Sequence, residues 1–457
     1  MTNSDRDARF DTSGIVKRFR AENATSAAHC ERAREVIPGG TSRATMLQRP
    51  FPVYLADAGG AHVTDLDGNR RLDLNNNMLA MVHGHAHPAV VAAVKEQIDH
   101  GSAMTSVSRR EVELAETMRA RVPSIEKIVF NNSGTEAVMV AIRAARAYTG
   151  RNLIARFEGG YHGFWDAVLV GSFSVPGPEA SRAPHPPERD MAGMPADVTN
   201  DAILLPYNDA QAVRDVFREH GDKLAAIIVE PMLGAGGMVP GEPEFVATIR
   251  EESARTGTVM ICDEVITLRF ATGGAQETYG FTPDLTTMGK IVGGGYPVGA
   301  LGGRAEIMDV FLPKDEGGSV IIMGTFNSNP VTVSAGLATL DLLDAPAIAR
   351  LNDMGAQIRE RFAATIESRQ APAQVTGASS CLDIHFTRRE IRSTRDVNTS
   401  DAALHQICTL GLANHGVQMP GTRRGALSTA MTDADIDHAV AALDATLEEM
   451  AAEGWFA

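Results

Sequence analysis

Lysine is scarce in this sequence. Six of its 42 basic residues are lysines (Lys17, Lys95, Lys127, Lys223, Lys290 and Lys314), and the rest are arginines. No basic tract offsets the net charge of −15, which excludes a nucleic-acid-binding role. Cysteine is scarce too. Cys30, Cys262, Cys381 and Cys408 are widely spaced with no CxxC, which excludes a disulfide framework or a zinc site. No apolar run approaches the roughly 20 residues that cross a bilayer. The start, MTNSDRDARFDTSG, lacks the apolar core of a signal peptide, so the expected location is cytoplasmic, with no membrane partner. His85 and His87 have no third ligand near them, so no metal site is expected.

What is present is a chain of 457 residues, 44% hydrophobic and 22% charged, the balance of a globular protein of about two or three domains. An amphipathic helix in the first 40 or so residues ends at Pro38-Gly39-Gly40. Asp67-Gly68-Asn69 marks a hairpin. From about residue 110, apolar runs alternate with helical periods: IEKIVF, a helix over Thr135–Tyr148, NLIARF, AILLPY, a helix over Ala210–Glu219, LAAIIVEP and GTVMICDEV. This alternation predicts an α/β fold with a mostly parallel sheet covered on both faces. The Pro-, Gly- and Ser-rich stretch 171–200 reads as a structureless segment, with a lid as the first expectation. A long helical pattern follows Pro330, and Thr432 with Asp435 reads as a capping box.

In open α/β sheets ligands bind beyond the carboxyl ends of the strands. One strand after another here ends in polar residues: Asn131-Asn132-Ser133-Gly134-Thr135-Glu136, then Glu158-Gly159-Gly160-Tyr161-His162-Gly163, Glu230-Pro231, and Asp263-Glu264. The Ser133-Gly134-Thr135 turn opens a helix and offers hydroxyls and free N–H groups to a phosphate, although an ordinary N-cap reads the same way. Asp263 suits either a structural carboxylate or the partner of a protonated ring nitrogen. Tyr161 and His162 suit turn packing or a platform for a flat ring. Lys290 stands apart from the other lysines, in the small and apolar run TTMGKIVGGGYPVGA. Desolvation there lowers an amine's pKa and makes it nucleophilic. Phosphate seat, platform, carboxylate and lysine together describe a pyridoxal 5′-phosphate (PLP) site.

The segments NNSGTEAVMVAIRAARAYTGR, FEGGYHG, VEPMLG, DEV and PDLTTMGKIVGGGYPVGALGG resemble class III, fold-type I PLP aminotransferases. Within that class they resemble glutamate-1-semialdehyde aminomutase and the β-amino-acid (β-phenylalanine) aminotransferases, and the likeness runs from Pro38 to the last helix. It implies a large PLP-binding domain with a mostly parallel seven-stranded sheet (71–330). A smaller α/β domain would form from the N-terminal (1–70) and C-terminal (331–457) segments.

The resemblance also implies roles. Lys290 binds the cofactor covalently and carries a proton. Asp263 holds the pyridine nitrogen protonated, and Val265 and Tyr161 pack on opposite ring faces. Ser133, Gly134 and Thr135 hold the phosphate, with His162 and Glu230 beside the ring. Thr325 reaches the phosphate of a neighbouring subunit, which implies a homodimer with shared active sites. One arginine, either Arg43 or one of Arg423 and Arg424, grips a substrate carboxylate; Met78 lines the pocket, and Arg269 is either a substrate contact or a structural ion-pair partner. The expected reaction moves an amino group from an amino acid, a β-amino acid in the first instance, to a keto acid such as pyruvate or 2-oxoglutarate. The alternative is a 2,1-aminomutase.

Overall fold

The computed structural model describes residues 9–419 and 424–456, so Arg423 lies outside the described residues. The chain divides into two compact units, one built from Pro88–Ala349 and Ile391–Asn398. The other takes the chain up to His87, Arg350–Glu390, and the chain from Thr399.

The first unit is organised by a seven-stranded sheet. Its strands are β1 (Lys127–Asn131), β2 (Leu153–Phe157), β3 (Ala202–Leu205), β4 (Leu224–Val229), β5 (Val259–Asp263), β6 (Leu285–Gly289) and β7 (Gly299–Gly303), in the spatial order β1-β7-β6-β5-β4-β2-β3. Only β7 runs antiparallel to its neighbours. β4, LAAIIV, is buried at every position because helices cover both faces. Alternation along it sends Ile227 and Val229 to one core and Ala226 and Ile228 to the other. The first core is closed by Phe157, Tyr207 and Phe245, packed edge to face. The second lies under α1 (Gly134–Thr149), whose Val138 and Ile142 meet Ile261, Leu285 and Leu301. Each such aliphatic side chain contributes about 1.5–3 kcal/mol by leaving water. α1 starts at Ser133, whose Oγ accepts the Glu136 N–H (3.2 Å), and stops at Gly150 in the left-handed region (φ 68°).

β7 reads GALGG for a steric reason. A Cβ on Gly299 would lie 2.0 Å from the Ser133 carbonyl oxygen, so the strand passes directly beneath the turn that opens α1.

In the second unit Leu55–Gly59, His62–Asp65, Arg70–Asp73 and Val417–Gln418 form a four-stranded sheet. The hairpin expected at Asp67-Gly68-Asn69 is there, with Gly68 at φ 84°. A three-stranded sheet of Gln374–Thr376, Cys381–His385 and Arg424–Ala426 completes it. The last helix, Asp433–Ala452, begins with the expected capping box: the Thr432 N–H donates to the Asp435 carboxylate at 2.8 Å. Among the described residues no single helix is long and apolar enough to cross a membrane.

Candidate active site

Because β1, β2, β4, β5 and β6 are parallel, their carboxyl ends share one edge of the sheet. Asn131, Gly299 and Gly289 lie in register across β1, β7 and β6, so Lys290 and the Ser133 turn leave the sheet two strands apart. Lys290 is half-buried with φ 47°, a left-handed conformation that costs a non-glycine residue roughly 1–2 kcal/mol. Val265 fills the space between these elements. Its methyls would lie 3.1 and 3.3 Å from a Cβ on Gly134, and 3.6 Å separates one of them from a Cβ on Gly289. The two glycines let the lysine's strand, the Ser133 turn and Val265 close together. Thr135 ties in the next loop, its hydroxyl accepting the Phe164 N–H at 3.0 Å.

The adjacent acids Asp263 and Glu264 have separate tasks. Glu264 accepts from the N–H groups of Ala275 (3.1 Å) and Gln276 (2.9 Å), a structural cap. Asp263, 4% exposed, binds His162 Nδ1 (2.8 Å) and the Val265 N–H (3.1 Å). Glu230 holds the same turn from below, accepting from the Tyr161 N–H (2.9 Å) and the Gly234 N–H (2.9 Å). Burial pushes the Glu230 carboxyl up; His162 opposes the shift, and the Asp263 charge adds to it. Tyr161 is 38% exposed, beside Phe173 at 6.4 Å between ring centroids.

Three buried polar atoms at this edge have no hydrogen-bond partner among the described residues: Asn131 Oδ1, His162 Nε2 and Thr287 Oγ1. The edge thus combines an anion seat at a helix start, a carboxylate braced by an imidazole, a half-open aromatic face and a lysine. That donor set fits PLP.

The stretch 171–200 is irregular but built. The Asp190 carboxylate accepts from the backbone N–H groups of Ser172 (2.7 Å), Phe173 (3.2 Å) and Ser174 (2.7 Å), and isolated bridges join Val170 to Arg189 and His185 to Leu204. Beneath it, fully buried Arg156 donates to the carbonyls of Gly160, Val168 and Val170 and to Ser172 Oγ (2.8 Å). Burial lowers this guanidinium's pKa to about 10, against the pull of Asp190 and Glu230.

Thr325 is exposed in the irregular run before Pro330, and Asn327 of that run accepts from Asn132 Nδ2 at 2.8 Å. Arg269 is fully buried in the 3-10 turn Thr267–Arg269. In the second unit Arg43 is exposed. Met78 lies in a feature that the apolar pattern did not announce: Asn76, Asn77, Met78 and Leu79 all have positive φ (49°, 51°, 55° and 71°). Asparagine tolerates this region best, and the triplet NNN was the available signal. The left-handed turn is fastened to the strand of Arg424, with Asn75 Nδ2 donating to the Arg424 carbonyl (3.4 Å) and Asn76 Nδ2 to that of Ala426 (2.6 Å). Two expected substrate elements, Met78 and Arg424, are thereby neighbours.

The model of the family Aminotransferase class-III matches residues 45–447. A glutamate-1-semialdehyde 2,1-aminomutase of Methanothermobacter thermautotrophicus is 40% identical over 390 residues, 85% of this chain and 90% of that protein. Among solved structures, an omega-transaminase from Sphaerobacter thermophilus superposes with a TM-score of 0.89 at 40% identity, covering 93% of this chain and 97% of that one. A β-phenylalanine aminotransferase from Variovorax paradoxus does so with 0.88 at 35% identity, covering 98% of each. Fold and site define a fold-type I enzyme whose cofactor is PLP, bound in a solved transaminase 34% identical to this chain. The chain belongs to the class III aminotransferase family.

Proposed function

We propose that this enzyme is an aminotransferase that takes the amino group of a β-amino acid, an aromatic one being the first to test, and passes it to a keto acid such as pyruvate or 2-oxoglutarate. When bound, PLP supplies an electrophilic carbon and an electron sink. Lys290 is the residue we assign to covalent attachment and to moving the proton at the substrate carbon that carries the amino group. Asp263, bound to His162 and to the Val265 N–H, would hold a proton on the ring nitrogen. The start of α1 would seat the phosphate, and Tyr161 and Val265 would bracket the ring. Arg424 or Arg43 is the residue proposed to bind a substrate carboxylate in a two-pronged contact, with Met78 as an adaptable apolar wall.

The observation that carries the donor class is the fastening of Arg424's strand to the turn bearing Met78, supported by the likeness to the β-phenylalanine enzyme. The likeness to an aminomutase favours a second reading, in which the amino group moves within one molecule. A donor panel separates them: a transaminase stops at the aminated cofactor without an acceptor, whereas a mutase keeps turning over. In either case Lys290→Ala should lose the visible absorbance of the lysine-bound cofactor, and an unchanged spectrum would remove the assignment. Arg43→Ala should weaken amino acids far more than simple amines; equal loss for both would remove the carboxylate role.

The same reading makes the enzyme a cytoplasmic homodimer in which Thr325 serves the neighbouring subunit's phosphate. Support for the dimer comes from a cavity of about 860 Å³ bordered by 103–108, 320–322 and 325–330, with Thr325 in its lining. Around it Val107 (87% exposed), Ile321 (77%), Met323 (86%) and Phe326 (59%) stand in water, an apolar grouping that marks interaction surfaces.

A further inference from the structure

The turn carrying Tyr161 and His162 leaves β2 as irregular backbone, so its register has to be set from outside the strand. The fixing group comes from Ile391–Asn398, a short excursion of the chain far along the sequence. Arg395 forks onto Glu158, Nε to Oε2 at 2.7 Å and Nη2 to Oε1 at 2.7 Å, with both side chains 1% exposed. Its remaining donors reach the carbonyls of Ala180 and Ser181, each at 2.9 Å, and His185 Nε2 shares Glu158 Oε1 at 2.8 Å.

Next to it Thr394 occupies the space where a Cβ on Gly159 (2.0 Å) or Gly236 (2.4 Å) would sit, and donates to the Gly236 carbonyl at 3.2 Å. The excursion is itself rigidly held. Asp396 accepts from the Ser393 N–H (3.1 Å), Arg392 forks onto Glu242 (2.9 and 2.6 Å), and Asn208 Nδ2 donates to the Arg392 carbonyl at 3.0 Å.

A buried ion pair gains little net stability over an apolar replacement, because desolvation of both charges offsets their attraction. What a planar, bidentate fork does supply is geometry. Here the geometry is delivered to Glu158 and Gly159, immediately before the aromatic platform. Resting on the PLP site proposed above, we infer that Arg395 is a positioning residue for cofactor binding: through Glu158 and Gly159 it sets the register of the turn presenting Tyr161 and His162.

The test compares PLP-depleted wild type with Arg395→Met, Arg395→Lys and Glu158→Gln. Each is titrated with PLP by fluorescence quenching, and visible circular dichroism of the bound cofactor and the urea midpoint of the depleted protein are recorded. Losing the charged fork should weaken PLP binding on the order of tenfold in Arg395→Met and reduce the visible dichroism. Lysine, which keeps the charge without the fork, should recover part of both. A lowered urea midpoint with wild-type affinity and wild-type dichroism in the folded protein would mean a purely structural arginine and overturn the inference. Should Arg395→Met not fold, Glu158→Gln decides, since it keeps volume and loses only charge: several-fold weaker binding supports the inference, and wild-type binding overturns it. Failure of the PLP assignment would show otherwise, as wild type that takes up no PLP or Lys290→Ala with unaltered absorbance.

Discussion

Replacing Gly299 by alanine should damage a site that its side chain never touches. The new Cβ would fall 2.0 Å from the Ser133 carbonyl oxygen and 2.6 Å from its carbonyl carbon, whereas real Cβ atoms essentially never come within 3.0 Å of a neighbour. At least about 1 Å of movement is required, and the obstacle is backbone rather than a pliable side-chain tip. β7 cannot yield easily, because Gly299 is paired on both sides, with Gly289 and with Asn131. The Ser133 turn therefore moves. Overpacking of this kind costs ~1–3 kcal/mol, appreciable against the ~5–15 kcal/mol that stabilises a domain. If the turn seats the phosphate, loss of one or two charge-assisted hydrogen bonds should weaken PLP about 10–100-fold. The assay is a PLP titration of depleted protein alongside urea unfolding. Gly177→Ala serves as the control, since a Cβ there has no neighbour within 4 Å. Gly299→Ala that binds PLP within about twofold of wild type, at an unshifted urea midpoint, would refute the steric reasoning.

Further tests address pH and assembly. The hydrogen bond to Glu158 raises the pKa of His185, against the opposing effect of burial. A folded pKa above the unfolded value means that this stabilisation is present below about pH 6.5 and is lost as pH rises through the folded pKa. Although burial favours its neutral form, Glu158 is held below the usual carboxylate range by Arg395 and His185, so it stays charged throughout that window. Wild type should therefore lose urea resistance between pH 6 and pH 8 relative to His185→Gln, and parallel profiles would contradict this. For the homodimer proposed above, Val107→Glu with Ile321→Glu should raise the dissociation constant at least about a hundredfold in sedimentation equilibrium, since each apolar side chain contributes ~1.5–3 kcal/mol when buried. An unaltered dimer would move the interface elsewhere.

Much of the sheet was legible because wholly buried strands and half-buried helices have different apolar periods. LAAIIV and VMICD could hardly be anything but inner strands, and Ser133 announced its helix. The pattern after Pro330 was harder, since both halves are helical; the break falls at Leu343–Asp344, between Pro330–Leu342 and Ala345–Ser368. The segment 171–200 looked structureless because its order comes from Asp190 accepting backbone N–H groups and from Arg395, more than 200 residues away. Arg395 itself, within the polar run RSTRDV, has the local look of a surface residue. Long-range polar contacts leave no periodicity to read, and neither does a left-handed turn, apart from the asparagines that tolerate it.

Arg156 has a consequence for how this protein can change over time. Three of its four partners are main-chain carbonyls, at Gly160, Val168 and Val170. Carbonyl oxygens are supplied by almost any residue, so nearly every side chain between 160 and 170 could drift without disturbing the cation. The count of residues cannot: a single insertion or deletion would carry a carbonyl out of reach and strand a buried charge. Around this arginine, outside Tyr161, His162 and Gly163, the protein should accept new letters and reject new lengths.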